Sequence, residues 1–297
     1  MRRYNIKNQR KDVIECKADL HIHSIYSDGA DSPLEIIDKA KKHQLKIISI
    51  TDHDNINAFP VGKNYSIEAG IEFVPGVELS TVFKGIELHL LGYYFDINNR
   101  ALVEYMNFLQ AERKIRAEKI LDKLVCQGIE LDLDRVFKKA HPGSVGRPHI
   151  ADVLVADGHV RSYQTAFNKY IGDNCSCFVP KYKITPKEAI GLIKDAGGMC
   201  FVAHPGIDID DADIHELIQL GIDGIETIHP RHKAQQISNF KEITKKYGLL
   251  ESGGSDCHGN RKKEPLLGKL TIPCSLVHKI KERKENQQTS YVESKVN

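Results

Sequence analysis

The sequence has 297 residues, of which 41% are hydrophobic and 28% charged, and its formal net charge is +2. This composition is typical of a globular protein large enough for one large core or for a barrel with an insertion, and the small charge gives no support for nucleic-acid binding by charge alone. No apolar run approaches the roughly 18 residues of a membrane-spanning helix and no signal peptide is recognisable, so we expect a cytoplasmic protein with no membrane partner and no obligate protein partner.

The first part of the chain alternates strand and helix patterns. Ala18–His23 predicts a short strand, and Ser32, Pro33 and Glu35 then form a capping box that begins a helix. Lys46–Thr51 is a β-branched apolar run, which is typical of a buried strand. The elements predicted after it are a helix at Asn57–Ala69 and the strand pair Glu72–Thr81 and Ile86–Phe95.

The middle of the chain contains only helical patterns. Arg100–Gln127 predicts a long, highly charged helix, and Pro148–Asp157 and Ser162–Ile171 predict shorter ones. We therefore expect a helical insertion over residues 98–180.

The strand–helix alternation then resumes. A second capping box at Thr185 and Glu188 begins a helix that runs through Ala196. The remaining predictions are strands at Met199–Ala203, Gly224–Ile228 and Leu249–Gly253 and helices at Asp211–Leu220 and Ala234–Tyr247. Such alternation predicts parallel βα units, so we expect an α/β barrel built from residues 15–97 and 181–280, followed by a polar tail at 281–297.

Many of the fourteen histidines, together with several acids, fall at the ends of predicted strands. Those at strand ends are His21, His23, Asp28, Asp52, His53, Asp54, Glu78, His204, Asp256 and His258, and His89 lies within the fourth strand. The carboxyl ends of parallel strands meet at one edge of a βα fold, so these side chains are expected to converge. Converging acids and imidazoles need counter-charges, which divalent cations supply. A mixed nitrogen and oxygen set without thiolate suits manganese, iron or zinc better than calcium.

The cysteines and the other histidines are expected to lie outside this site. Seven cysteines form an odd, scattered set in which Cys175 and Cys177 are a lone CxC, so we predict reduced thiols. Five further histidines lie on helix or loop patterns and are not expected to be ligands: His43, His141, His159, His215 and His278.

The same residues also resemble a known family, the PHP (polymerase and histidinol phosphatase) superfamily. The resemblance extends in order from about residue 17 to 260. It rests on DLHIHS at 19–24, SDG at 27–29, TDHD at 51–54, PGVE at 75–78, LHLLGY at 88–93, AHPG at 203–206 and GSDCHG at 254–259.

This resemblance implies a distorted (β/α)7 barrel with a trinuclear metal site, with manganese the first choice and iron, zinc or magnesium as alternatives. One metal would be held by His21, His23, Glu78 and Asp256, which are therefore the predicted catalytic residues. A second would be held by Glu78, His89 and His204, with Glu78 bridging. A third would be held by Asp28, His53 and His258.

Within the superfamily, the insertion resembles that of the TrpH/YciV-type phosphoesterases, which include nucleoside 3',5'-bisphosphate phosphatases and 5'-3' exoribonucleases. GRPH at 146–149 resembles a motif of that branch and implies that Arg147 and His149 bind substrate phosphate. Arginine forms a bidentate fork on phosphate, and Pro148 can begin a helix whose N-terminus favours an anion. His232 and Lys181 are further candidates for substrate binding, and His229 is a weaker one.

The predicted function is thus a metal-dependent phosphoric ester hydrolase. It would remove the 3'-phosphate of nucleoside 3',5'-bisphosphates and act on short 5'-phosphorylated RNA, by in-line attack of a hydroxide that bridges two metals. One alternative is a histidinol-phosphate or other small-molecule phosphatase. Another, of a different class, is a non-catalytic metal- or nucleotide-binding module, such as the one attached to a polymerase.

Overall fold

Eight strands form one curled sheet at the centre of the computed structural model, which describes residues 16–206, 209–261 and 265–296. The strands are β1 (Lys17–Ile22), β2 (Leu45–Ile50), β3 (Glu72–Phe83), β4 (Ile86–Tyr93), β5 (Met199–Val202), β6 (Gly224–Ile228), β7 (Leu250–Gly253) and β8 (Ile272–Pro273). Their order is β7-β6-β5-β4-β3-β2-β1-β8. The segment after β7 returns to the end of β1, where the His23 amide donates to the Cys257 carbonyl at 2.9 Å. The sheet is therefore a nearly closed barrel, as predicted.

The helices follow the predicted order. They are α1 (Pro33–Lys42), α2 (Ala58–Ala69), α3 (Arg100–Val125), α4 (Leu133–Ala140), α5 (Arg147–Ala156), α6 (Tyr163–Ala166) with a π-helical turn at Phe167–Ile171, α7 (Pro186–Asp195), α8 (Asp211–Leu220), α9 (Ala234–Tyr247) and α10 (Cys274–Val296). The predicted capping boxes at the starts of α1 and α7 are present, with Ser32 and Thr185 as the N-caps. Helices α4 and α10 and strand β8 were not predicted.

One strand of the barrel runs against its neighbours. Strand β4 is antiparallel to both β3 and β5, whereas β1, β2 and β3 are mutually parallel, as are β5, β6 and β7. The β3–β4 connection is only Lys84 and Gly85, both with positive φ (50° and 84°). Two such residues make a tight hairpin turn, whereas a parallel connection needs a longer crossover. The parallel arrangement expected from strand–helix alternation therefore does not extend to β4, which follows β3 with no helix between them.

The helices between β4 and β5 pack around a hydrophobic cluster of their own. The second half of α3 contributes Ala117, Ile120 and Leu124 to it, and α5 contributes Ile150 and Leu154. The first half of α3 instead packs against the barrel core. Helix α3 therefore connects the two parts, and the helical region begins on the barrel surface.

The C-terminal part of the chain differs from the sequence predictions in two ways. Residues 281–296, predicted as a polar tail, continue helix α10. Cys16 and Cys274 form a disulfide, so the prediction that all cysteines are reduced is wrong for this pair, which could not be inferred across 258 residues of sequence. Separately, no helix in the described part of the chain is both long and apolar enough to cross a bilayer.

Candidate metal centre

All nine predicted metal ligands converge at one end of the barrel. His21 lies in β1 and His23 directly after it, so that alternate positions of one extended segment turn two imidazoles to the same side. Glu78 lies in β3 and His89 opposite Ser80 on β4. Seven of the nine line one cleft of about 650 Å³: Asp28, His53, Glu78, His89, His204, Asp256 and His258. His21 and His23 are fully buried beneath it.

The tightest group consists of His21, His23, Glu78 and Asp256. The Nε2 atoms of His21 and His23 are 3.2 Å apart, and they lie 3.3 and 3.2 Å from Glu78 Oε2. Asp256 Oδ1 is 3.7 Å from His21 Nε2 and 3.3 Å from His23 Nε2. Two neighbouring ligands about 2.0–2.2 Å from one ion are separated by roughly 2.8–3.6 Å in octahedral or tetrahedral geometry. The donor atoms therefore have the spacing of a coordination shell.

Glu78 faces two groups of imidazoles with its two oxygens. Oε1 lies 2.9 Å from His89 Nδ1 and 3.0 Å from His204 Nε2, while Oε2 faces His21, His23 and His53. The buried Nδ1 atoms of His53 and His89 lie 3.2 and 2.9 Å from Glu78 oxygens, but they are not aligned for an N–H···O hydrogen bond. Poorly aligned polar atoms are costly when buried, and a cation beside Glu78 would satisfy both nitrogens. The arrangement fits a carboxylate that bridges two ions.

The third group surrounds Asp28. Asp28 Oδ1 lies 3.4 Å from His258 Nε2, and Asp28 Oδ2 lies 4.0 Å from His53 Nε2. Donor atoms of His23, Asp28, His53 and His258 all lie within 4.8 Å of one another. His53 also faces Glu78 through Nδ1, at 3.2 Å from Oε2. The resemblance implied that His53 belongs to the third group alone. In the structure His53 lies beside both Asp28 and Glu78.

Two neighbouring histidines of the centre, His23 and His53, have pKa values that are shifted in opposite directions. Burial lowers the pKa of His53 to about 3. Burial also lowers the pKa of His23, but hydrogen bonds to Asp256 and Glu78 outweigh it and raise the value to about 10. The rings of these two residues are only 4.7 Å apart, centroid to centroid. Neighbouring imidazoles whose pKa values are shifted in opposite directions are typical of a functional site with closely spaced charged groups.

Glu226, a buried carboxylate that was not predicted, contacts two of the candidate ligands, His21 and His204. Glu226 Oε1 is 2.8 Å from His21 Nδ1, and Oε2 accepts the His204 backbone N–H at 2.7 Å. Metal-binding histidines commonly donate their second ring nitrogen to a carboxylate, which fixes the tautomer and the ring orientation. Glu226 therefore directs His21 Nε2 towards the centre. Its only sequence signal is an acid inside the buried strand pattern GIETI.

Two candidate ligands lie on unusual backbone. His204 has φ 30° and Asp256 has φ 48°, both in the left-handed region. Side-chain-bearing residues in such conformations cost about 1–3 kcal/mol and concentrate at functional sites, where the surroundings hold them in place. The bond from the His204 amide to Glu226 is one such restraint.

The residues predicted to bind substrate have different surroundings. Arg147 lines the cleft, and its guanidinium carbon lies 5.6 and 5.5 Å from the ring centroids of Phe167 and Phe178. Its Nη1 donates to Asp173 at 2.7 Å. His149 is buried at the start of α5, where its Nδ1 accepts the Gly146 amide at 3.0 Å. It lines a second, smaller cavity together with Lys181.

His232 lies behind His229 rather than among the residues that line the cleft. Its Nδ1 faces the Thr227 carbonyl at 3.1 Å, and the centroids of the two rings are 5.3 Å apart. His229, the weakest of the predicted candidates, is nearer the centre, with Nε2 3.5 Å from Asp256 Oδ2.

Known proteins resemble the chain in both sequence and structure. The model of the PHP domain family matches residues 19–161. A 5'-3' exoribonuclease of Haemophilus influenzae is 33% identical over 247 residues, which are 82% of this chain and 90% of that protein. A 3',5'-nucleoside bisphosphate phosphatase of Chromobacterium violaceum is 32% identical over 81% of this chain and 86% of its own length.

Among solved structures, a metal-dependent phosphoesterase from Bifidobacterium adolescentis matches with a TM-score of 0.82 and 28% identity, over 89% of this chain and 94% of that one. The barrel, the converging imidazoles and carboxylates and the similarity along most of both chains agree with one another. The chain therefore belongs to the PHP family and is a metal-dependent phosphoesterase.

Proposed function

We propose that the chain binds three divalent ions, manganese first among the candidates, and removes the 3'-phosphate of nucleoside 3',5'-bisphosphates and acts on short 5'-phosphorylated RNA. The observation that carries the proposal is the spacing of 3.2–3.7 Å that Glu78 and Asp256 make with His21 and His23. Each of the three groups of side chains described above would hold one ion. Glu78 would be shared between two groups, and His53 lies beside both Glu78 and Asp28.

The protein's own side chains would orient the substrate. Bound divalent ions would supply an activated water molecule and neutralise charge that develops on the phosphoryl group. Glu226 holds His21, and through the His204 amide it also fixes the loop after β5. Arg147 is held by Phe167, Phe178 and Asp173, so its fork needs little reordering when a phosphate binds.

The substrate class is supported by the relatives and by the cleft. Two relatives at 32–33% identity are named for a nucleoside bisphosphate and for RNA. The cleft of about 650 Å³ extends from Glu78 to Arg147 and Tyr163 in the helical region, which leaves room for a nucleotide rather than only a small phosphate. A histidinol-phosphate phosphatase has less support, since a single small phosphate would not use this extension.

Two measurements test the proposal. Elemental analysis of protein purified without chelator is expected to give close to three divalent ions per chain. With manganese added, phosphate release from adenosine 3',5'-bisphosphate is expected to exceed release from histidinol phosphate. Metal-free protein that gains neither activity nor melting temperature on adding manganese would refute the metal assignment. Preference for histidinol phosphate would refute only the substrate.

A further inference from the structure

A second carboxylate, Glu87, contacts a candidate metal ligand from outside the centre. Glu87 lies two positions before His89 in β4, so both side chains are on the same face of the strand. Glu87 Oε1 is hydrogen-bonded to His89 Nε2 at 3.0 Å. The other ring nitrogen, Nδ1, lies 2.9 Å from Glu78 Oε1 but is not aligned for a hydrogen bond. The ring therefore lies between two carboxylates and is hydrogen-bonded only to Glu87.

This contact determines which nitrogen of His89 carries the proton. A neutral imidazole has one N–H group, and its other nitrogen offers a lone pair. When Nε2–H donates to Glu87, the lone pair is on Nδ1, the atom that faces Glu78. A carboxylate in this position orients a ligating histidine and makes it more basic. Glu87 thus has the same relation to His89 as Glu226 has to His21.

Glu87 differs from Glu226 because it is shared with two lysines. Lys181 Nζ donates at 2.9 Å to Oε1, the oxygen that also faces His89, and Lys183 Nζ lies 2.8 Å from Oε2. The side chain of Glu87 is 34% exposed, whereas Glu226 is fully buried. Glu226 has no lysine or arginine partner within the described ranges of the chain.

The two lysines weaken the support that Glu87 gives to His89. Both are positively charged, so they offset the negative charge of the carboxylate and repel any cation that His89 binds. Solvent at the partly exposed Glu87 screens its charge further. The fully buried Glu226 has no such competitors, so the two supporting carboxylates should stabilise their ions unequally.

We infer that the ion held by His89 is bound more weakly than the ion beside His21, and that it is the first to be released. Glu87 is the positioning residue for His89, and Lys183 limits its effect. The inference rests on the proposed function, in which His89 and Glu78 share one of the ions. A weakly held ion makes the loading of the centre respond to the free metal concentration while the tighter ions stay bound.

The experiment follows the release of manganese from the loaded full chain, by equilibrium dialysis against decreasing free manganese. It compares the wild type with Glu87→Gln, Lys183→Met and a control, Glu216→Gln. Glu216 pairs with Lys84 at 2.7 Å and does not line the cleft, so the control removes the same charge from a lysine pair that contains no histidine. Thermal melting reports whether each variant is folded.

We expect the wild type to release one ion at a higher free manganese concentration than the others. Glu87→Gln should raise the concentration at which this ion is half released by about tenfold or more, as expected when a carboxylate behind a ligating histidine is lost. Lys183→Met should lower that concentration by about twofold or more, because it removes a positive charge beside the carboxylate. Glu216→Gln should leave the curve unchanged.

The opposite signs distinguish positioning from a purely structural ion pair, since breaking a pair that only holds the fold would weaken metal binding in both variants. Weakening in both, an unchanged curve for Glu87→Gln, or a wild-type curve with a single step would each overturn the inference. The number of ions tests the proposed function separately. Two ions per chain would refute the proposed three, while opposite shifts in the two variants would still support the inference.

Discussion

Substitution of Glu226 by glutamine tests whether the buried carboxylate behind His21 controls metal binding. The change keeps the size of the side chain but removes the negative charge that faces His21 Nδ1 at 2.8 Å and the His204 amide at 2.7 Å. The amide can present its NH₂ group to either site, where it would leave a ring nitrogen or a backbone N–H unpaired. We expect weaker metal binding with the barrel intact.

The magnitude follows from the role of such carboxylates. Loss of a carboxylate that orients a ligating histidine typically lowers metal affinity by 10–100-fold, or about 1.4–2.7 kcal/mol. Glu226 touches elements of two ligand groups, so the upper part of that range is expected. Titration of phosphate release against free manganese measures the shift directly. At saturating manganese, much of the activity should return.

A matched control is Glu251→Gln. Glu251 lies on the neighbouring strand β7 and accepts from Thr227 Oγ1 at 3.2 Å. Its titration curve should overlay that of the wild type. An unchanged curve for Glu226→Gln, in a folded protein, would show that His21 is oriented without this carboxylate and would refute the reasoning.

Three further predictions concern single residues. Asp256→Ala should abolish phosphate release while circular dichroism remains native; turnover near the wild-type rate would contradict its assignment as a ligand. Arg147→Ala should lower kcat/KM for a nucleoside bisphosphate at least tenfold more than for p-nitrophenyl phosphate, since a hydrogen bond to a charged group contributes about 1.5–3 kcal/mol; an equal loss with both substrates would assign it to the metals or the fold instead. Cys274→Ser should lower the free energy of unfolding by about 2–4 kcal/mol under oxidising conditions, as measured by denaturant titration, because it removes the cross-link to Cys16; equal stability would mean that the bond does not form.

The sequence predicted the elements whose signals are local. Capping boxes identified the starts of α1 and α7, and α8, β6 and α9 begin and end at the predicted residues. The direction of β4 was missed although Lys84 and Gly85 leave room only for a hairpin. Helix α4 was missed because its eight residues form too short a pattern to stand out beside α3.

The site was predicted where its residues were assigned to the ends of predicted strands. His21, Glu78 and Asp256 were each assigned there, and the structure brings them together. Glu226 was not predicted, because it lies within a strand pattern and its role depends on contact with His21. The two residues are 205 positions apart in the sequence, so only the fold shows that contact. The burial of Arg116 on the charged helix α3 was also not predicted, since only its contact with the Val179 carbonyl reveals it.

The barrel closes along a seam where β1 meets the segment after β7, and this seam also carries candidate metal ligands. Asp19 in β1 accepts the Ser255 amide at 2.9 Å, and Gly254 passes so close to the His21 backbone that a Cβ atom would not fit. The candidate ligands His21 and His23 come from one side of this seam and Asp256 from the other. An ion that binds all three cross-links the first and last parallel strands, and it stabilises the closed barrel according to its concentration and affinity. Metal loss should therefore weaken the seam before the hydrophobic cores, and amide exchange at His23, which donates across it to Cys257, would be the earliest to accelerate.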